Sequence, residues 1–295
     1  MPHNGVGAGM KLCRFRAPRA PGIRIGLIVK PHSVLDLTAG GIRRMSRLLE
    51  RASLEDELRR LSQAGLPQHP LDQVRLLTPV ESQEVWAAGV TYLRSKQARM
   101  EESEFSASAY DRVYDAERPE IFFKSLPEKV VAQGNAVGIR RDATWSVPEP
   151  ELALVINSSG TIVGFTIGND VSSRDIEGEN LLYLPQAKVY TASCAVGPWI
   201  AVGHSEAEAR KWSIRLQIHR RGQSVFAGET RAGRIKRRFA DLVEYLFRSQ
   251  AFPNGAVLLT GAGVVPPDSF TLEAGDSVRI TISGIGTLEN PVAVV

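Results

Sequence analysis

Two spacings of apolar residues divide this chain. Ile23 to Val29 (IRIGLIV) and Ser33 to Leu37 have strand character, and Gly40-Gly41 breaks the chain behind them. Met45, Leu48, Leu49, Leu54, Leu58 and Leu61 then recur at helical spacing, predicting helix between Ile42 and Leu61 with Ser53 as an N-cap. The Pro-rich LPQHPLDQ is a connection, and a boundary is expected near Pro67 to Pro79. Beyond it Val74 to Leu77 and Glu84 to Val90 predict strands. A polar helix is expected from Tyr92 to Glu104, a charged loop or short helix from Tyr110 to Arg118, and a strand from Glu120 to Lys124. The apolar runs PEPELALVI and GFTIGND are joined by Asn157-Ser158-Ser159-Gly160, a turn signal, and so read as a hairpin. The segment ENLLYLPQAKVYTASCAVGPWIAV should begin as a loop and become a strand. Short strands follow, interrupted by one helix near Phe239 to Arg248.

Many strands and few helices predict an α+β protein, a β-rich mixed-sheet rolled sandwich with a small N-terminal α/β domain. The expected divisions are a flexible extension over 1–22, the small domain over 23–78 and the main domain over 79–295. The first 22 residues are basic but contain no hydrophobic core of a signal peptide, and Met10 is a second candidate start.

Composition adds mainly exclusions. At 295 residues and 43% hydrophobic the chain can bury a large core, and 23% charged residues is ordinary for a globular protein. No apolar run approaches the ~18 residues of a membrane span. Cys13 and Cys194 lack metal-ligand spacing and fit a reduced, cytoplasmic setting. The net charge of +4 is concentrated in Arg210, Lys211, Arg215, Arg220, Arg221, Arg231, Arg234, Lys236, Arg237 and Arg238. That crowd lacks aromatic interleaving and a nucleic-acid-binding motif, so a solvated or subunit-facing surface is the better reading. His69, His204 and His219 have no partner at ligand spacing and read as structural or surface residues.

Three acids stand out because they interrupt apolar strands. Glu149 and Glu151 are two apart, so they share a strand face about 7 Å apart. The hairpin returns Asp170 towards them. Such a group repels itself unless a cation neutralises it, which makes a Mg²⁺-type site the sharp reading. The plain reading is a water-facing edge pair around Pro150 and a turn at Asn169-Asp170. Asp175 reads as an ion-pair or capping residue.

The ordered motifs EPELALVI, GFTIGNDVSSRD, AKVYTASCAVGPWI, LLTGAGVVPP and AGDSVRITISGIGTLENPV resemble the fumarylacetoacetate hydrolase family over roughly Val85 to Val295. The resemblance implies that Glu149, Glu151 and Asp170 bind Mg²⁺, with Mn²⁺ or Ca²⁺ as alternatives, and that the substrate is a 2-oxo acid. Hydrolase and decarboxylase members read G-x-N-Y-x-x-H-x-x-E where this chain has Gly89-Val90-Thr91-Tyr92-Leu93-Arg94-Ser95-Lys96-Gln97-Ala98. Ser95 and Ala98 replace the water-activating His-Glu pair, and serine is no general base at neutral pH without a partner.

The wording VWAAGVTYLRSKQARMEES, RVYDAERPEIFFKS and EGENLLYLPQAKVYTASCAVGP is similar instead to the 2-keto-3-deoxypentonate (2-keto-3-deoxy-D-arabinonate) dehydratase branch. This implies Glu120 and Lys188 as the catalytic pair, with Lys124 lining the site. By helical spacing rather than by resemblance, Arg94, Arg99 and Glu102 are expected to touch a polyol substrate or to pair with each other. Ser172, Ser173 and Arg174 reach substrate or a subunit interface. Thr260 opens Thr260-Gly261-Ala262-Gly263, a turn able to receive a substrate carboxylate, where Ala262 lacks the hydroxyl usual in the branch. The expected activity is metal-dependent dehydration of a 2-oxo sugar acid to 2,5-dioxopentanoate, by a homodimer or homotetramer. The alternatives are acylpyruvate hydrolysis, isomerisation of an unsaturated 2-oxo diacid, or ligand binding without turnover.

Overall fold

The computed structural model describes residues 9–18, 20–30, 32–93 and 112–295. Its strands in chain order are β1 (Met10–Ala17), β2 (Ala20–Lys30), β3 (Ser33–Asp36), β4 (Gln68–Pro70), β5 (Arg75–Leu77), β6 (Glu84–Gly89), β7 (Glu120–Ser125) and β8 (Val137–Ile139). They continue with β9 (Ser146–Val147), β10 (Pro150–Ile156), β11 (Ile162–Asp170), β12 (Ser172–Ser173) and β13 (Cys194–Val202). The last are β14 (Ser213–Arg220), β15 (Gln223–Arg231), β16 (Ala256–Leu259), β17 (Ser277–Ile282) and β18 (Gly286–Val294). The helices used below are α1 (Met45–Leu49), α2 (Leu54–Ser62), α3 (Arg174–Glu179), α4 (Leu184–Lys188), α5 (Glu206–Ala209) and α6 (Phe239–Phe247).

An eleven-stranded sheet runs β4-β3-β2-β1-β13-β11-β10-β16-β6-β7, with β5 also on β1; a five-stranded sheet runs β15-β14-β17-β18-β8. Pairs β16–β6 and β18–β8 are parallel and the others antiparallel, so the sheets are mixed as expected. One face of the β10–β11 hairpin carries Leu152, Leu154, Phe165 and Ile167 into a core shared with Ile214 and Leu216 of β14, Val278 and Ile280 of β17, and Phe239 and Leu242 of α6. This is the sandwich interior. The other face carries Ala153 of β10 into a cluster with Val257 and Leu259 of β16, Val85 and Ala87 of β6 and Val196 of β13.

The expected extension over 1–22 is corrected for Met10–Ala17, which is a full strand. Leu12, Cys13 and Phe15 are completely buried, and β1 pairs with β13 (Met10↔Val202, Leu12↔Ile200) as well as with β2. Arg14, one of the basic residues of the segment, donates to the carbonyls of Thr78 and Val80. Residues 1–8 lie outside the described residues. Because β1 bridges β2 to β13, the strands of 23–78 continue the main sheet, and their core of Leu27, Leu35, Leu48 and Leu58 takes in Val155, Ile200 and Val202 from it.

The helix expected between Ile42 and Leu61 is two helices, α1 and α2. Ser53 occupies the N-cap position of α2, but its side chain makes no capping bond. Glu55, Asp56 and Glu57 in the first turn supply favourable charge for the helix dipole there. Residues 112–115 are helical; the polar helix expected over 92–104 falls mostly outside the described residues. The basic crowd is largely held by partners: Arg210 by Glu206 and the carbonyls of Ile235 and Arg237, Arg220 by Asp276 and Glu273, Arg238 by Asp241, and Lys236 by Asp115. Such pairing leaves those cations committed within the fold.

Candidate active site

The hairpin assembles the three acids by register. Pro150 pairs with Asn169 and Glu151 with Gly168, and the amide of Asp170 donates to the carbonyl of Glu149 at 3.0 Å. The edge-pair reading of Glu149 and Glu151 does not hold: β10 lies between β11 and β16, and Pro150 opens the strand, where its missing N–H is tolerated. Glu149, Glu151 and Asp170 are 5%, 1% and 1% exposed, and a ligand oxygen from each lies within 4.8 Å of the others. Six-coordinate cations with oxygen bonds of about 2.0–2.6 Å span that separation, so the donor set fits Mg²⁺ or a similar hard ion. Burial, with the neighbouring charges of Asp170 and Glu149, pushes the Glu151 carboxyl well above its ordinary range, although Gly261 N–H donates to its Oε2 at 2.5 Å. Burial also pushes Asp170 up, but Lys124 and Lys188 outweigh it and hold that carboxyl below the usual range.

Cations close around the acids. Lys188 Nζ donates to Glu149 Oε2 at 2.9 Å, Asp170 Oδ2 at 3.3 Å and Ser172 Oγ at 2.5 Å. Lys124 Nζ stands 2.5 Å from Asp170 Oδ1 and donates to the carbonyls of Val171 and Lys188. Arg174 Nη2 donates to Glu149 Oε1 at 2.8 Å. Both lysines are fully buried, and Lys188 ends helix α4 where a loop was expected. A cavity over the triad is lined by Gly89, Val90, Phe122, Arg174, Lys188, Gly261 and Ala262 among others. Its walls are the end of β6, the middle of β7 and the turn after β16.

A sequence model of the fumarylacetoacetate (FAA) hydrolase C-terminal region matches residues 84–293. This chain belongs to the fumarylacetoacetate hydrolase family. A Haloferax volcanii protein named "Probable 2-keto-3-deoxyxylonate dehydratase" is 48% identical over 217 residues, covering 74% of each chain. The 2-dehydro-3-deoxy-D-arabinonate dehydratase of Saccharolobus solfataricus is 40% identical over 233 residues, 78% of each. Among solved structures, 2-keto-3-deoxy-D-arabinonate dehydratase complexed with magnesium and 2,5-dioxopentanoate superposes with a TM-score of 0.79 at 33% identity, covering 97% of this chain and 99% of that one.

Within this family member, Glu120 lies on β7 opposite Gly89 of β6. A Cβ on Gly89 would fall 2.0 Å from Glu120 Oε2, so glycine is what lets the carboxylate rest against β6. Alternation puts Glu120, Phe122 and Lys124 on one face, and Phe122 lies under Lys188, with Nζ 5.7 Å from its ring. Thr260 is fully buried and its hydroxyl donates to the carbonyl of Leu152 at 2.8 Å, so the adjoining wall is made by Gly261 and Ala262. Ser173 is fully buried too and pairs with Ser146 across β12–β9. Arg94, with Ser95 and Ala98, lies outside the described residues. Asp175, in the first turn of α3, accepts from the backbone N–H and hydroxyl of Thr144 through Oδ2.

Arg174, given a choice of roles by sequence, is buried in the site itself. Glu177 went unnoticed, though its place three residues after Arg174 on a helical segment was a signal available in the sequence.

Proposed function

We propose that this protein is a Mg²⁺-dependent dehydratase that converts a 2-keto-3-deoxypentonate to 2,5-dioxopentanoate and water. The observation carrying this reading is a buried lysine within hydrogen-bonding distance of two carboxylates in a three-carboxylate cation site. The dehydratase relatives at 48% and 40% identity support it. Their substrate names converge: removing the C2 and C3 stereocentres leaves only C4, so for D-series acids the xylonate- and arabinonate-derived compounds are one molecule.

Glu149, Glu151 and Asp170 hold the ion. Bound there, the ion would supply Lewis-acid stabilisation of the negative charge that develops on the keto oxygen of a 2-oxo acid. Lys188, its carboxylate partners then engaged elsewhere, gives up its proton and serves as the base for C3–H. Glu120 protonates the C4 hydroxyl, which departs as water and leaves a C3=C4 double bond. Moving a proton from C5 to C3 converts this to an enol at C4–C5, and protonation at C4 unmasks the aldehyde. The net change is loss of one water. Lys124 keeps Asp170 in place, and Gly261 N–H orients Glu151.

Incubation with Mg²⁺ and each C4 enantiomer of 2-keto-3-deoxypentonate, following aldehyde release, tests the reading. Formation of 2,5-dioxopentanoate from one or both supports it. No turnover of either, beside cleavage of an acylpyruvate or isomerisation of an unsaturated 2-oxo diacid, sinks it. A place in pentose catabolism, a cytoplasmic location and a homodimeric or homotetrameric state belong to the same proposal. Among the described residues, no helix is long and apolar enough to cross a membrane.

A further inference from the structure

A fourth buried acid stands beside the site with no task in the reaction above. Glu177, on α3, is 1% exposed and lies outside the ligand triangle. Its Oε1 is 3.8 Å from Lys188 Nζ and its Oε2 is 3.9 Å from Arg174 Nε. The same two cations lie closer to the ligand acids, Lys188 at 2.9 Å from Glu149 and Arg174 at 2.8 Å. Both cations therefore touch two sets of carboxylates, and a shift of about 1 Å exchanges one set for the other.

We propose that Glu177 is a positioning residue that holds Lys188 and Arg174 when a divalent cation takes Glu149 and Asp170. This rests on the metal site of the proposed function. Charge counting supports it. Glu149, Glu151, Asp170 and Glu177 are four buried acids facing the three cations Lys124, Lys188 and Arg174. Among the described residues, and before Lys188 gives up its proton, a dication and a substrate monoanion make this ionised set neutral; removing the charge of Glu177 leaves one more positive charge than negative in the buried set, which is costly. Glu177 meets the site through Lys188 and Arg174, which line the cavity, so it acts through the two cations.

The test compares wild type, E177Q and E177D by calorimetric titration with Mg²⁺, thermal melts without Mg²⁺, and steady-state kinetics. E177Q keeps the volume and removes the charge. It is expected to bind Mg²⁺ about 10–100-fold more weakly, in the range seen for residues that support metal ligands. Its kcat falls while KM for the 2-keto acid moves less, its melting without Mg²⁺ stays near wild type, and E177D recovers part of both losses. Wild-type Mg²⁺ affinity and kcat in folded E177Q overturn the proposal. Should E177Q not fold, E177D decides: weakened Mg²⁺ binding in the folded variant supports the role, and unchanged binding refutes it. A wild-type protein that binds no Mg²⁺ is a different result, because it removes the metal site itself.

Discussion

Gly89→Ala tests the place of Glu120 without replacing an ionisable residue. The added Cβ falls 2.0 Å from Glu120 Oε2 and 2.6 Å from its Cδ, whereas ordinary contact begins near 3.4 Å. The carboxylate must retreat by about 1.4 Å. It can do so by side-chain rotation, since the clash is with the end of a flexible chain and the backbone is not among the contacts. The stability change is therefore small, within the ~1 kcal/mol that separates Gly from Ala in regular structure. Catalysis is less forgiving, because a displacement of about 1 Å at a reacting group costs on the order of 100-fold. G89A is expected to lose about 100-fold in kcat, with Mg²⁺ affinity and melting temperature near wild type. A double-mutant cycle makes the cause explicit: with E120Q already present, adding G89A should cost little more, because the group nearest the added Cβ is already disabled. Rates come from aldehyde release under saturating substrate. Wild-type kcat in G89A, or an undiminished 100-fold loss on the E120Q background, would refute the placement of Glu120 as the acid.

Glu151→Gln should abolish calorimetric Mg²⁺ binding yet raise thermal stability measured without Mg²⁺ at pH 7. The sign follows from the raised carboxyl: the folded protein holds a proton that the unfolded chain releases, so stability falls as pH rises above the ordinary value of 4.5. The advantage of E151Q should thus shrink as pH falls towards that value and vanish below it, and an E151Q protein melting lower than wild type throughout pH 4–8 would contradict it. Lys188→Ala should keep Mg²⁺ binding and eliminate turnover, while lowering stability without Mg²⁺ by about 3–5 kcal/mol, the cost of leaving buried carboxylates without their cation. Urea unfolding and calorimetry check the two parts separately, and a near-normal rate removes lysine from the mechanism. Chelation with EDTA should stop turnover reversibly, and restoring Mg²⁺ to 100 times its Kd should raise stability by about 2.7 kcal/mol in wild type and not in E151Q.

The sequence by itself determined the strand-rich mixed architecture and the β10–β11 hairpin, because alternation and a turn signal are local properties that survive into the fold. It also determined the identity of the three acids, since carboxylates inside apolar strands are costly enough to be conspicuous in one dimension. Motif order then pointed to Glu120 and Lys188, which spacing alone leaves as ordinary surface candidates. Tertiary structure decided what local pattern cannot. Met10–Ala17 read as part of a basic, flexible extension and is a strand inside the main sheet because β13, far along the chain, and the carbonyls of Thr78 and Val80 offer partners. Lys188 is a ligand-site cation only because α4 delivers it beside Glu149 and Asp170. Thr260 turned its hydroxyl to a backbone carbonyl, leaving Gly261 and Ala262 at the wall. Arg174 and Glu177 acquire their significance from the same convergence. The physical reason is common to all: a side chain's cost of burial is written in its own chemistry, but the partner that offsets that cost is brought by distant parts of the chain, and only the folded arrangement says which one it is.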